Sequence, residues 1–503
     1  MSDSAEDAAN QAAARAKGVS AGRGVVYLAG AKFYFMLASY AVAFGLPRLF
    51  GSTELYGRFG VVNRVVSVLN MVMIGGTIQA VSRFVSADPS RAGAVTWLAV
   101  RLQIVLGLCA AGLYALAAPL IAELLGDPSL TDLLRLSAVI VACYAVYAAL
   151  IGSLNGRRLF HRQAGLDATF STIKAALMLG AAGLGFGVAG AIGGFSATAA
   201  LILVPAFLLL GRMPPGGAAS LRELVGFQVP IFGYTLALYL FLGLDLFSVK
   251  ALIVDSPEAA DRLAGLYTAA QYMGQLPYTA IVAVTFVVFP MISRATFVSD
   301  REAASSYVRT TLRYSALVLV LLAALLSADA GPALRFFYPA EYAEAAGALR
   351  LLAPGVLLFA LMVIACTILS GSGRPVTSLL ITLLGLCVSA GFNLLLTPRF
   401  GLPGAAAATG LAALAALVAS GILLWRHFKA FLPALSLVRL LAAGGAVWLL
   451  ASALPVEGRP LVAAKWTGLG VVYLVLLALL REISRDDLSR VIGSLSGRTA
   501  DGS

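Results

Sequence analysis

The sequence predicts an all-α polytopic membrane protein of about fourteen transmembrane helices, arranged as two six-helix lobes related by a pseudo-two-fold axis along the membrane normal, plus two extra helices. Three observations predict it: composition, the spacing of apolar runs and an internal repeat. Of 503 residues, 60% are hydrophobic and only 12% charged, with a mean hydropathy of +0.91. A soluble protein carries about 25% charged residues, because polar side chains must cover its surface. This balance excludes a soluble enzyme, a secreted disulfide scaffold and a disordered chain.

A helix needs about 20 apolar residues to cross the hydrocarbon core. Runs of that kind fall near 24–46, 59–80, 100–122, 134–154, 165–185, 188–211 and 226–252, then near 264–291, 312–329, 351–371, 376–397, 402–425, 438–454 and 463–480. Turns at Gly187 and Gly373 separate neighbouring spans, or lie inside single long helices. Loop charge tests the count, because basic residues gather on the cytoplasmic side. With the N-terminus inside, 22 of the 36 Lys and Arg fall on the cytoplasmic side and 8 on the other. Both termini are therefore expected in the cytosol. The net charge of +12 belongs to this topology signal and implies no nucleic-acid partner. The first residues, with Asp3, Glu6 and Asp7, lack the basic start and apolar centre of a cleaved signal peptide.

The repeat is carried by three matches in the same order. Phe186-Gly187 to Gly190-Ala191 opens an apolar run ending at Arg212, and Phe400-Gly401 to Gly404-Ala405 opens one ending at Arg426. Gly57-Arg58-Phe59 matches Gly265-Leu266-Tyr267, and Gly156-Arg157 matches Gly373-Arg374. An offset holding six spans, an even number, makes both halves enter the membrane in the same sense, so their axis runs along the membrane normal. The expected organisation is a cytosolic tail over 1–23, lobes over 24–215 and 216–430, two appended helices over 431–480, and a cytosolic tail over 481–503.

Enzymatic signatures are close to absent. His161 and His427 are the only histidines, and Cys109, Cys143, Cys366 and Cys387 form no CxxC pair. No metal site, no cofactor and no enzymatic activity is predicted. The GxGxxG match at Gly185–Gly190 joins two spans and reads as a tight helix turn.

Ionisable residues inside spans carry more information, since each costs about 2.5 kcal/mol or more unless it faces protein or water. Lys32 lies on the first span. Arg64 lies on the second, beside a polar stripe of Asn63, Ser67, Asn70 and Thr77. Asp167, Ser171 and Lys174 share one face of the fifth, Asp245 and Lys250 lie on the seventh, and Tyr267, Gln271, Gln275 and Tyr278 share a face of the eighth. These faces predict a water-filled cavity between the halves, with a cationic lining from Lys32, Arg64 and Lys174. The alternatives are snorkelling for Lys32 and Arg64 and structural charge pairing for Asp167 with Lys174 and Asp245 with Lys250.

The pattern Gly51-Ser52-Thr53-Glu54-Leu55-Tyr56-Gly57-Arg58-Phe59, the Val81-Ser82-Arg83-Phe84 end of the second span, Leu244-Asp245 through Lys250, Ala264 through Tyr267 and Val287-Val288-Phe289-Pro290 with Ser293-Arg294 together resemble bacterial polysaccharide flippases. The family is the polysaccharide-transport branch of the multidrug/oligosaccharidyl-lipid/polysaccharide exporter superfamily, and the resemblance runs from about 24 to 430. It implies an inner-membrane protein that moves undecaprenyl-diphosphate-linked oligosaccharide by alternating access for surface polysaccharide biosynthesis, lipopolysaccharide included, alongside membrane lipids and a glycan polymerase. It further implies substrate contacts from Lys32, Arg64, Asn70, Lys174, Lys250, Gln271 and Gln275. Proton or sodium coupling would fall to Asp167 and Asp245. The related lipid II flippases use basic residues on their first two helices, which Lys32 and Arg64 match by approximate position; the eighth span lacks a basic residue here, a departure that shifts weight to Lys174 or Lys250. The alternatives are a cation-coupled multidrug antiporter of the same superfamily and a non-transporting scaffold of a glycan-assembly complex.

Overall fold

The computed structural model describes residue 27 and residues 30–213, 217–253, 256–279 and 301–483. Both expected tails, apart from a few residues next to the last helix, lie outside these residues, as do the second half of the eighth span and the Val287–Arg294 motif. Among the described residues every regular element is helical.

Among the described residues, eleven helices are long and apolar enough to cross a membrane. Two are double-length, Phe160–Leu210 with 51 residues and Pro375–Phe428 with 54, and each is broken where a glycine leaves helical geometry. In the first the break holds Gly185 (φ 88°) and Gly187 (φ 56°), and in the second Gly401 (φ 61°). Only glycine enters that region without a Cβ penalty. The two breaks are copies of one another. Gly187 and Gly401 have nearly the same dihedrals, and three residues on a Cβ at Gly190 or Gly404 would meet the Cβ of Phe186 or Phe400. The Phe-Gly repeat is thus one structural device used twice, and each long helix is two spans. Gly373 (φ 85°), by contrast, makes a true turn between helices.

The first compact unit covers Met1–Thr268. It holds α1 (Gly30–Phe50), α2 (Thr53–Ala87), α3 (Ala92–Leu124), α4 (Thr131–Gly156), α5 (Phe160–Ala181), α6 (Gly187–Leu201), α7 (Leu203–Leu210), α8 (Leu221–Leu252) and the start of α9 (Pro257–Gly274). Packing places the division later than the repeat does, because α8 and the start of α9 close on α2.

Side-chain pairs give each helix its direction. Lys32 meets Asp167, Phe35 stacks on Phe170 and Gly45 faces Leu179, so α1 and α5 run parallel. Thr96 bonds Ser153 at 2.7 Å and Tyr114 bonds Ser137 at 2.9 Å, so α3 and α4 run antiparallel. Gly152 faces Val81 and Gly156 faces Val85, so α2 and α4 run parallel. These senses are those of spans one and five, three and four, and two and four in a chain that crosses at every predicted span. An error of one span among these would have reversed a pair.

Glycine sets how closely the helices approach, which matters where lipid gives no hydrophobic drive for association. At the crossing of α2 with α9, a Cβ on Gly57 would run into the Asp261 carbonyl, and one on Gly265 into the Thr53 carbonyl. Thr53 and Gly57 on α2 correspond to Asp261 and Gly265 on α9 at one repeat offset. The contact is therefore reciprocal, as a two-fold axis requires. Gly60 and Thr268 continue the crossing inward.

The second unit, Ala269–Ser503, holds α10 (Arg301–Ala328), α11 (Ala330–Phe337), α12 (Ala346–Gly371), α13 (Pro375–Phe428), α14 (Ala434–Ala453) and α15 (Arg459–Leu479). Gly355 lies against Gly410 and Gly347 against Pro403, so α12 runs parallel to the second half of α13. The appended helices dock on α10 and its neighbour: Gly444 takes Val320, the Tyr473 hydroxyl donates to the Leu317 carbonyl at 3.0 Å, and Lys465 meets Asp329 at 2.7 Å. Outward faces are greasy; on α3, Leu113, Leu116, Leu120 and Leu124 are 58–79% exposed. A bilayer accounts for such a stripe.

Candidate functional site

The sequence-predicted residues resolve into three places. The first is a cleft of about 420 Å³ between α1 and α5, lined by Tyr34, Ala168, Thr169, Thr172 and Ile173. The Tyr34 hydroxyl and the Thr172 hydroxyl share a hydrogen bond of 2.8 Å across it. Beside the cleft, Lys32 Nζ lies 2.8 Å from Asp167 Oδ2, with the lysine side chain 53% exposed and the aspartate 8%. The charged pair is thus asymmetric: a buried acid faces a half-exposed cation. Asp167 finds its counter-ion on another helix, not in Lys174 seven residues on, which instead places Nζ 4.2 Å from the centre of the Phe195 ring. That is a cation–π contact, and it leaves the ammonium donors of Lys174 without an acidic partner among the described contacts. The wall behind is aromatic, with Phe170 against Phe35, Tyr144 and Tyr147, and Tyr144 against Phe195. An aromatic wall fixes ring positions with few rotatable bonds, so the two lysines are presented from a rigid face.

The second place joins α2, α8 and α9. The Arg64 side chain crosses Gly243, where a Cβ would stand 2.8 Å from its Cδ, and its charge bears on the phenols of Tyr239 and Tyr267. The Tyr267 hydroxyl donates to Asp245 Oδ2 at 2.8 Å, and the Leu246 amide donates to Oδ1 at 2.8 Å. Asp245 therefore belongs with Tyr267 and Arg64 rather than with Lys250. Asn70, on the same helix as Arg64, is buried at 4% exposure with no hydrogen bond to its side-chain oxygen.

The third place is built on Lys250. Its side chain is fully buried, with Nζ 3.0 Å from Asp127 Oδ2 and 2.5 Å from Asp261 Oδ1. With the Pro257 carbonyl at 3.4 Å as a third acceptor, each of its three donors has a protein partner, the arrangement of a structural charge. Sequence reasoning missed both partners because they stand outside the apolar runs, Asp127 in the α3–α4 turn and Asp261 at the start of α9. Gln271 is buried on α9 and Gln275 half-buried at the turn that follows it; both fall in the second unit. Among the described residues no group of His, Cys, Asp and Glu could hold a metal ion.

Comparison with known proteins places this geometry. A family model described as polysaccharide biosynthesis protein matches residues 46–347. A stretch of 123 residues is 32% identical to an uncharacterised membrane protein of Methanocaldococcus jannaschii, and covers 24% of each chain. The fold is similar to that of a lipid II flippase in an inward closed conformation, with a TM-score of 0.74 and 14% identity over 91% of this chain and 99% of that one. It is similar too to an inward-facing multidrug transporter of the superfamily (TM-score 0.64, 16% identity, 78% and 94% covered). A Pyrococcus furiosus transporter described by the reverse polarity of its binding pocket matches at TM-score 0.61 and 17% identity, with 81% and 95% covered.

Proposed function

The chain belongs to the family of polysaccharide biosynthesis proteins, and from that premise we propose that it is a flippase carrying polyprenyl-diphosphate-linked oligosaccharide across the bacterial inner membrane by alternating access, both termini in the cytosol. The observation that carries this reading is the half-exposed Lys32 beside the α1–α5 cleft, with Lys174 about 10 Å deeper by helical rise. A diphosphate and its sugars cannot cross hydrocarbon unaided, whereas a polyprenyl tail can remain in it. Lys32 can exchange Asp167 for a phosphate oxygen, and Lys174 offers a second cation as the head group moves inward. Arg64 extends the cationic path on α2, and Asn70, Gln271 and Gln275 are the polar contacts assigned to the sugars. When Lys32 turns to the substrate, Asp167 loses its counter-ion and gains reason to take up a proton or sodium ion. Asp245 is the second coupling candidate. The inside-negative potential assists export of an anionic head group by about 2.3 kcal/mol per charge per 100 mV.

The fold shared with multidrug transporters favours a second reading, a cation-coupled antiporter. Its substrates would seek acid, and two lysines, Lys32 and Lys174, against the one aspartate Asp167 argue for an anion instead. Surface-glycan assembly in a deletion strain decides between them. Lys32→Ala, Arg64→Ala and Lys174→Ala should each abolish complementation at normal protein levels; unchanged glycan in all three removes the flippase reading.

A further inference from the structure

The cluster around Lys250 does more than neutralise a lysine. It stands where the α2–α9 crossing closes, and it gathers one charged group from each element there: Lys250 from α8, Asp127 from the α3–α4 turn, Asp261 from α9 and Arg58 from α2. By the loop-charge topology this end faces the outside. Asp127 is fixed by its own turn, accepting from the Ser129 hydroxyl at 2.5 Å and the Ser129 amide at 3.1 Å. Arg58 donates to that same Ser129 hydroxyl at 2.6 Å. On the helix of Asp261, Glu258 is exposed and Arg262 acts on Glu54 of α2.

With both aspartates ionised, the buried trio carries one net negative charge. Arg58, 3.9 Å from Asp261 Oδ2 and 30% exposed, offsets it only loosely. With one proton added, the trio is neutral. We propose that these residues form a proton-binding latch on the outer face, in which uptake of one proton from outside completes the charge balance and holds α8 and α9 closed against α2 and the α3–α4 turn. Asp261 is the acceptor. Burial, with the Asp127 charge beside it, raises its carboxyl to about 6, even against the pull of Lys250. Asp127 is held below the usual carboxylate range: its own burial opposes this, but the Ser129 hydroxyl and Lys250 outweigh it.

The sign of the linkage follows. A carboxyl whose affinity for protons is higher when closed than when hydrated makes the closed form tighter as pH falls through about 6 and looser as pH rises past it. A proton arriving after release of cargo outside would then reset the carrier. The latch is independent of which lipid is carried, so its failure and that of the flippase reading are separable.

The test uses the full chain in right-side-out vesicles, with Cys109, Cys143, Cys366 and Cys387 replaced by alanine and Thr268→Cys as reporter. Thr268 is 3% exposed, two turns inward of Asp261, against Gly60. Labelling by an impermeant maleimide from outside, divided by that of the detergent-denatured protein at the same pH, should fall about tenfold as external pH drops from about 7.5 to about 5. Asp261→Asn should give slow labelling at both values with no step. Asp127→Asn, which leaves a one-to-one pair, should do the same and carries the test if Asp261→Asn fails to accumulate. Labelling that ignores pH in the parent chain, a step that survives Asp261→Asn, or a step that follows internal pH would each overturn the latch.

Discussion

Lys250 and Lys32 lie in the same unit and each stands within 3.0 Å of an aspartate, yet they live under opposite physics. Lys250 is wholly buried and shared by two carboxylates; Lys32 has one partner and keeps half its side chain in the open. A buried ion has exchanged water for protein, and removing either partner strands the other in a medium that cannot solvate it. A half-exposed ion stays within reach, and a stronger anion can replace its partner. The same pair of residue types is therefore a rivet at one place and an exchangeable contact at the other.

Four substitutions probe that contrast. Lys250→Ala should have the largest effect on stability, about 3–5 kcal/mol, because it leaves two buried carboxylates with only the loosely placed Arg58 to offset them; a thermal unfolding curve in detergent reads it. Gly265→Ala comes next, at about 1–3 kcal/mol, since its Cβ would collide with the Thr53 carbonyl on a helix that cannot yield. Gly445→Ala, where nothing lies within 4 Å, is its control and should stabilise by about 0.5–1 kcal/mol through helix propensity. Lys32→Ala should cost less than Lys250→Ala, about 1–3 kcal/mol, because it strands one buried carboxylate, Asp167, rather than two, although it should cost the most in transport. Equal losses for Lys250→Ala and Lys32→Ala in the melting experiment would erase the distinction.

The spans were legible because a bilayer imposes one length on every apolar run, and the Phe-Gly breaks because glycine alone takes their dihedrals. The Gly57 and Gly265 motifs were legible as copies. That the two copies touch was not, since a repeat reports equivalence and says nothing of contact. Charge partners were the least legible. Periodicity sees one helix at a time, so it set Asp167 beside Lys174 and Asp245 beside Lys250. In the folded chain, the first acid turns to Lys32 on α1 and the second to Tyr267 on α9. Asp127 and Asp261 carried no signal at all, because polar residues in short turns are what any membrane protein shows there.

The central claim, that Lys32 is held for an anionic lipid head group, is tested most directly by reconstitution. Proteoliposomes containing the native chain or Lys32→Ala are loaded with a fluorescent polyprenyl-diphosphate oligosaccharide, and its passage between leaflets is followed by quenching from outside. Rapid quenching of the inner-leaflet pool is expected with the native chain, and little beyond protein-free vesicles with Lys32→Ala, at equal amounts of folded protein. Equal rates for the two proteins would contradict it.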